Sequence, residues 1–159
     1  MLTQLTLDQI SSYWDIVKYA IEESLPPLTV DHPDRMNKIL SNLLSNESQC
    51  WVSYIKGEEE TKFEGVVVTK IIYDDVSDTK NLLIYCLYGY DAIDSKSWMI
   101  GLEALVKYAK ANNCAQVVGY TDVPRVIEIV NSLGGQTDYT FISFNVNETV
   151  EKLNGLGEV

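Results

Sequence analysis

The residues best placed to do chemistry lie between a strand-like run and a helix-like one. Leu82 to Tyr88 (LLIYCLY) is apolar and β-leaning, and Gly89 to Ser97 (GYDAIDSKS) is turn-like. Met99, Leu102, Leu105, Val106 and Ala109 then recur at spacings of three and four, which predicts one apolar stripe on a helix. A buried strand that feeds a helix through a short polar loop aims the helix's unpaired N–H groups at the strand end. That is anion-binding chemistry, provided the backbone can be approached.

Other reactive residue types are sparse or scattered. Tyr73, Tyr85, Tyr88 and Tyr90 surround the strand-like run. They can line a cleft, or they can be strand residues with a buried ring and a wet hydroxyl. His32 is the single histidine and lies at a helix start, where local structure is its expected role. Cys50, Cys86 and Cys114 are far apart, form no C-x-x-C pair and sit in or beside apolar segments. With one histidine, no zinc site is expected, and the cysteines read as buried reduced thiols.

The elements that position these residues follow in order along the chain. Thr6 and Gln9 form a capping box, and Ile10, Trp14, Val17 and Ile21 mark a helix that should stop before Pro26-Pro27. Asp31 is expected to cap a second helix with Pro33 and Asp34 in its first turn and the stripe Met36, Ile39, Leu40, Leu43 and Leu44. Strands are predicted over Cys50 to Ile55, Phe63 to Tyr73 with a bulge near Gly65, Leu82 to Tyr88, Ala115 to Tyr120 and Tyr139 to Val146. Between the last two, Asp122 should cap a helix facing inward through Val126, Ile127, Val130 and Leu133 and ending at Gly134-Gly135. The predicted core is Trp14, Val17, Ile39, Leu43, Val67, Ile84, Cys86, Leu102, Leu105, Val117, Val130 and Phe141. The reading is of one domain over residues 1–146, followed by a polar tail, 147–159, that frays or forms one loose turn.

Charge narrows the partners. Twelve Lys and Arg against 23 Asp and Glu give a net charge of −11. Such a surface repels phosphate backbones and anionic membranes, so nucleic acid and membrane are not expected partners; it suits a basic protein partner, or it only keeps the chain in solution, which is the more common role of such charge. No leader-like run and no membrane-spanning stretch is read, which predicts a cytoplasmic protein.

The order helix, helix, three strands, helix, strand, helix, strand resembles the GNAT family of N-acetyltransferases over nearly the whole chain. Leu102 to Cys114 (LEALVKYAKANNC) is very similar to that family's signature helix, commonly LLEALEEYAKERGC. Asp122 to Gly135 (DVPRVIEIVNSLGG) sits where the family has N-x-x-A-x-x-L-Y-x-K-x-G-F. The resemblance implies an α/β fold. Its mixed, mainly antiparallel sheet has roughly six strands, with Leu82 to Tyr88 central and splayed from Ala115 to Tyr120. It also implies acetyl-CoA as cofactor, held by a loop Q/R-x-x-G-x-G/A and by pantetheine pairing along the splayed strand. The corresponding residues are Ile93, Asp94, Ser95, Lys96, Ser97 and Trp98, so the cofactor loop is Ser95, Lys96, Ser97 and Trp98, with Lys96 and Trp98 at both glycine positions. The family's tyrosine general acid matches Val130, with Tyr120 and Tyr139 nearby in sequence, and its helix-starting Asn matches Val123. A carboxylate base from the middle strands would be Glu64, Asp74 or Asp75. No catalytic residue is assigned, and two functions follow. One is a GNAT-like binding protein with a degenerate acetyl-CoA site, no cofactor and a protein partner. The other is a divergent N-acetyltransferase acting on an amine. Small acidic chains of this kind also resemble bacteriophage proteins, which implies a place in the virion or the host cytoplasm.

Overall fold

A computed structural model describes residues 1–90 and 92–157; Asp91 in the turn-like segment and Glu158 and Val159 in the tail lie outside it. The chain forms two compact units, Met1–Tyr120 and Thr121–Val159.

The first unit is a five-stranded sheet with helices. Its strands are β1 (Leu2–Gln4), β2 (Ser48–Lys56), β3 (Thr61–Asp74), β4 (Thr79–Gly89) and β5 (Cys114–Gly119), in spatial order β1-β2-β3-β4-β5. All neighbours are antiparallel except β4 and β5, which run parallel. This is the mixed, mainly antiparallel architecture expected. It differs in detail: β1 was not anticipated, and β3, not β4, occupies the middle of the sheet.

Each sheet face carries its own core, and the sequence alternation explains which residue goes where. Cys50, Val52, Val66 and Val68 point to one face and pack with Ile10, Val17, Ala20, Ile21, Met36, Ile39 and Leu43. Those partners come from α1 (Leu7–Ser12), α2 (Trp14–Glu23) and α3 (Arg35–Leu44). Trp51, Val67 and Leu82 point the other way, onto Leu105 and Ala109 of α4 (Ser95–Ala111). Successive strand residues alternate faces, so CWV and VVV are divided between two cores.

Two bulges interrupt that alternation. On β3, Tyr54 pairs with Phe63 and Ser53 with Gly65, which leaves Glu64 as the extra residue. On β4, Val68 pairs with Cys86 and Thr69 with Ile84, which leaves Tyr85 extra. The second bulge reverses parity within LLIYCLY: Leu82 and Ile84 face α4, whereas Cys86 and Tyr88 face the opposite core.

The capping box is present, with Gln9 N–H donating to Thr6 Oγ1 at 3.3 Å and Thr6 N–H to Gln9 Oε1 at 2.9 Å. Other helix details differ from expectation. The first helix breaks at Tyr13 into α1 and α2. The second begins at Arg35 with Asp34 at its cap position, and Asp31 instead forms an ion pair with Arg35 at 3.1 Å. His32 Nδ1 accepts from Asp34 N–H at 3.1 Å, a local role. On α4, Leu105 and Ala109 are buried but Met99 and Val106 are exposed, so the buried stripe is narrower than the spacing implied.

The second unit holds α5 (Pro124–Ser132) and α6 (Val146–Gly157). Val123, not Asp122, occupies the cap position of α5. Gly134 has φ +78°, the left-handed conformation expected beyond that helix. Residues 139–145 are not a strand, and the tail is helical, started by Asn145 Oδ1 accepting from Glu148 N–H at 3.1 Å. Phe141 is exposed and so is not a core residue. Among the described residues no helix is long and apolar enough to cross a membrane.

Cys50 and Cys86 are buried and free, and burial pushes both thiols up to about 12. A neutral thiol is a poor nucleophile. Neither should therefore react appreciably with a disulfide reagent near pH 8 until denaturant is added. Rapid native-state labelling of Cys50, read by peptide mass, would contradict this packing.

Candidate functional site

The site is built where β4 outruns β5. The parallel pairing runs from Lys80–Cys114 to Ile84–Gly119, while β4 continues to Gly89 on β3 alone. Tyr85 to Gly89 therefore have no strand partner on the β5 side among the described residues. Leu82 to Ile84 pair with Val117 to Gly119, so over that stretch the two strands are joined and not splayed as expected, and β4 alone continues past the end of β5 at Gly119. The Tyr85 bulge, on the β3 side of β4, lies at the point where pairing with β5 stops.

Three elements converge beyond that point. Gly65 on β3 faces Gly89, and a Cβ on Gly65 would lie 2.9 Å from the Tyr88 carbonyl oxygen, so only glycine allows this approach. The same position lies 3.4 Å from Ile93 Cδ1, which brings the loop before α4 against the bulge. Tyr90 N–H donates to the Glu64 carbonyl at 3.0 Å and closes the end of the strand pair.

Of the three candidate bases, only Glu64 stands here. It is 8% exposed, and its Oε2 accepts from the Ser53 hydroxyl at 2.8 Å. Asp74 and Asp75 lie at the other end of β3, roughly 30 Å away at ~3.3 Å per residue. Asp74 caps a turn there: Ser77's hydroxyl and N–H hydrogen-bond its carboxylate and hold its pKa below the usual range. The structure thus separates Asp74 and Asp75 from the site.

The loop residues lie in the first turn of α4. Ser95 and Lys96 are exposed, and Ser97 and Trp98 are half-buried. The first-turn N–H of Ser97 already has an anion on it. Asp94 is the N-cap, and its Oδ1 accepts from Ser97 N–H at 2.7 Å. That bond is the main cause of a lowered Asp94 pKa, with Lys96 contributing, so the cap is ionised at neutral pH. An Asp directly before a helical repeat is a recognisable cap signal.

The tyrosines chiefly brace the sheet against α2. Tyr88 meets Tyr90 edge-to-face at 5.1 Å and Tyr19 at 6.0 Å, and Tyr90 Oη donates to the Ile16 carbonyl at 3.2 Å. Burial, then Tyr88, pushes the Tyr90 hydroxyl up to about 12. Tyr85 shares a hydrogen bond with Thr29, whereas Tyr73 is exposed. In the second unit, Val130 is half-buried, while Val123 and Tyr139 are exposed; Tyr120, at the end of the first unit, is also exposed.

Neither protein-family models nor curated protein sequences match the chain. Solved structures do. An aminoglycoside acetyltransferase from an uncultured soil metagenomic sample is 14% identical, with a TM-score of 0.68 over 91% of this chain and 97% of its own. A predicted acetyltransferase from Clostridium acetobutylicum, solved with acetyl-CoA, is 17% identical, with a TM-score of 0.64 over 93% and 97%. A ribosomal-protein-alanine N-acetyltransferase from Brucella melitensis biovar Abortus 2308 is 11% identical, with a TM-score of 0.62 over 91% and 99%. At these identities the likeness speaks for the fold alone, and that fold is the GNAT acetyltransferase fold.

Proposed function

We propose that this chain is a GNAT-fold binding protein that engages a protein partner without using acetyl-CoA. The observation carrying this reading is the Asp94 carboxylate bonded to Ser97 N–H at the start of α4. In the fold's transferases, as the resemblance implies, a glycine loop opens that backbone to a pyrophosphate. Here a fixed carboxylate already accepts one first-turn N–H, and Lys96 and Trp98 stand at the two glycine positions. Repulsion by Asp94 opposes a polyanion, and the attraction of an exposed helix end is only about 0.3–1 kcal/mol. The residues present therefore do not fit the pyrophosphate of acetyl-CoA, and no catalytic step is derived through it. The net charge of −11 favours a basic partner. The bacteriophage or virion setting draws no support from the three structural neighbours.

A second reading, an N-acetyltransferase acting on an amine, is favoured by one observation. Among the described residues Tyr85 to Gly89 of β4 have no strand partner on the β5 side, the arrangement in which a thioester ligand could lie along a strand, and buried Glu64 stands on the neighbouring strand β3. Against it, Val130 cannot protonate a departing thiolate.

Thermal melting separates the two readings. A ligand at ~100 times its Kd stabilises a protein by about 2.7 kcal/mol, which is a shift of several degrees for a domain of this size. Millimolar acetyl-CoA and CoA should leave the melting temperature unchanged. A clear rise with either ligand would favour the transferase.

A further inference from the structure

We propose that a cavity under α3 binds a short-chain organic monocarboxylate, with Lys70 as its counter-charge and Ser48, Tyr85 and Asn42 as hydrogen-bond donors. The cavity has a volume of about 100 Å³ and is lined by Ile39, Asn42, Ser48, Val68, Lys70 and Tyr85. All six belong to the first unit. Ile39 and Val68 are part of the core between the sheet and the first three helices, and Tyr85 packs against it, whereas α4 packs on the other face. The sheet therefore separates the cavity from α4, and what it binds is independent of whether acetyl-CoA does.

The strand alternation that builds this core ends in polar residues. On β2, Ser48 takes the face of Cys50 and Val52, and on β3, Lys70 takes the face of Val66 and Val68. Ser48 and Lys70 are direct cross-strand partners, which puts their Cβ atoms about 4.5–5.5 Å apart. Tyr85, the extra residue of the β4 bulge, comes in from the other side of β3. Ile39 and Asn42, one turn apart on α3, supply the facing wall.

Most of the polar side chains here lack a protein partner. Ser48 is only 7% exposed, yet its hydroxyl, the Lys70 ammonium and the Asn42 amide make no hydrogen bond or ion pair to any described residue. A buried polar group without a partner costs free energy, so such groups gathered round one cavity point to a ligand that satisfies them. Tyr85 shares a hydrogen bond with Thr29, and with the threonine as donor the phenol hydrogen is left for the cavity. No carboxylate lines the space and its one formal charge is positive, so the ligand is an anion. A carboxylate's two oxygens accept up to about four hydrogen bonds, which matches donors from Lys70, Ser48, Asn42 and Tyr85. Buried Val68 and Ile39 give an apolar wall to a short hydrocarbon tail, and the volume is too small for a nucleotide.

Two-dimensional amide NMR of the full chain, titrated with propionate and, at matched ionic strength, with propionamide and with phosphate, tests this. With propionate the wild type should show saturable shifts centred on Asn42, Ser48, Lys70 and Tyr85, at a dissociation constant of about 1 mM. The neutral amide and phosphate should give no saturable shift. Lys70→Met keeps the aliphatic stem without the charge and should weaken propionate binding about tenfold or more. Ser48→Ala removes a hydroxyl that has no protein partner. It should weaken propionate binding severalfold while leaving the melting temperature of the ligand-free chain unchanged or higher, whereas loss of a structural hydroxyl would lower it. If Lys70→Met fails to fold, the wild-type titrations and Ser48→Ala still decide. No saturation by about 50 mM propionate, an equal response to propionamide or phosphate, undiminished binding in either folded variant, or a lowered melting temperature in Ser48→Ala would each overturn the proposal.

Discussion

Thr69→Val should destabilise the protein by roughly 2–5 kcal/mol, although the two side chains have nearly the same shape. Thr69 is fully buried at the middle of the sheet. Its Oγ1 accepts from Trp51 Nε1 at 3.0 Å and donates to Gln49 Oε1, also at 3.0 Å. Gln49 Nε2 continues the chain to the Asn46 carbonyl at 3.2 Å, in the turn between α3 and β2. Valine would leave the indole N–H and the glutamine carbonyl without this partner while both side chains remain buried. Each orphaned group costs about 1–3 kcal/mol, which outweighs any gain from a buried methyl. Urea denaturation should show the loss, and Thr69→Ser, which keeps the hydroxyl, should recover most of it. A loss below about 0.5 kcal/mol for Thr69→Val would contradict the hydrogen-bond assignment.

Leu105→Ala should cost about 2–5 kcal/mol by a different mechanism. Leu105 and Ala109 are the residues through which α4 is buried against Trp51, Val67 and Leu82. Truncation leaves a cavity beneath a helix that has few other deep contacts. Val106→Ala, one position away, is exposed and should change stability by less than about 0.5 kcal/mol. The contrast is the test: equal losses at both positions would mean that the helix is rotated from the orientation described.

Much of this architecture was legible because local signals agreed. Thr6 and Gln9 fixed a helix start, Gly134 fixed a helix end, and the α4 sequence resembled that of a known fold. What escaped detection lay where a single residue overrides a period. Tyr85 is an inserted residue in β4, so LLIYCLY serves two cores and resembles a fully buried run. Met99 and Val106 fit a three-four spacing yet flank the true contact stripe, because the sheet meets α4 through a narrow line of residues. Residues 139–145 have strand-forming chemistry without strand pairing, since pairing depends on a neighbour and not on propensity. The apolar residues Val146, Val150, Leu153 and Leu156 recur at helical spacing in α6, a pattern hidden among polar residues and two glycines. At the site, Glu64 was nameable from the family resemblance. Its burial, and the bond from Asp94 to Ser97, required the fold.

That bond is also where the functional reading is most exposed to test. Isothermal calorimetry of acetyl-CoA into the wild-type chain tests whether the start of α4 is closed to pyrophosphate, and Lys96→Gly/Trp98→Gly tests the part played by the two loop side chains. The wild type should give no saturable heat at concentrations where micromolar binding, worth about −8 kcal/mol, would be plain. The double variant restores glycine at both loop positions and should gain measurable affinity, provided its circular dichroism shows α4 intact. Stoichiometric, micromolar or tighter binding of acetyl-CoA by the unmodified chain would contradict a closed pyrophosphate position and return the protein to the transferases.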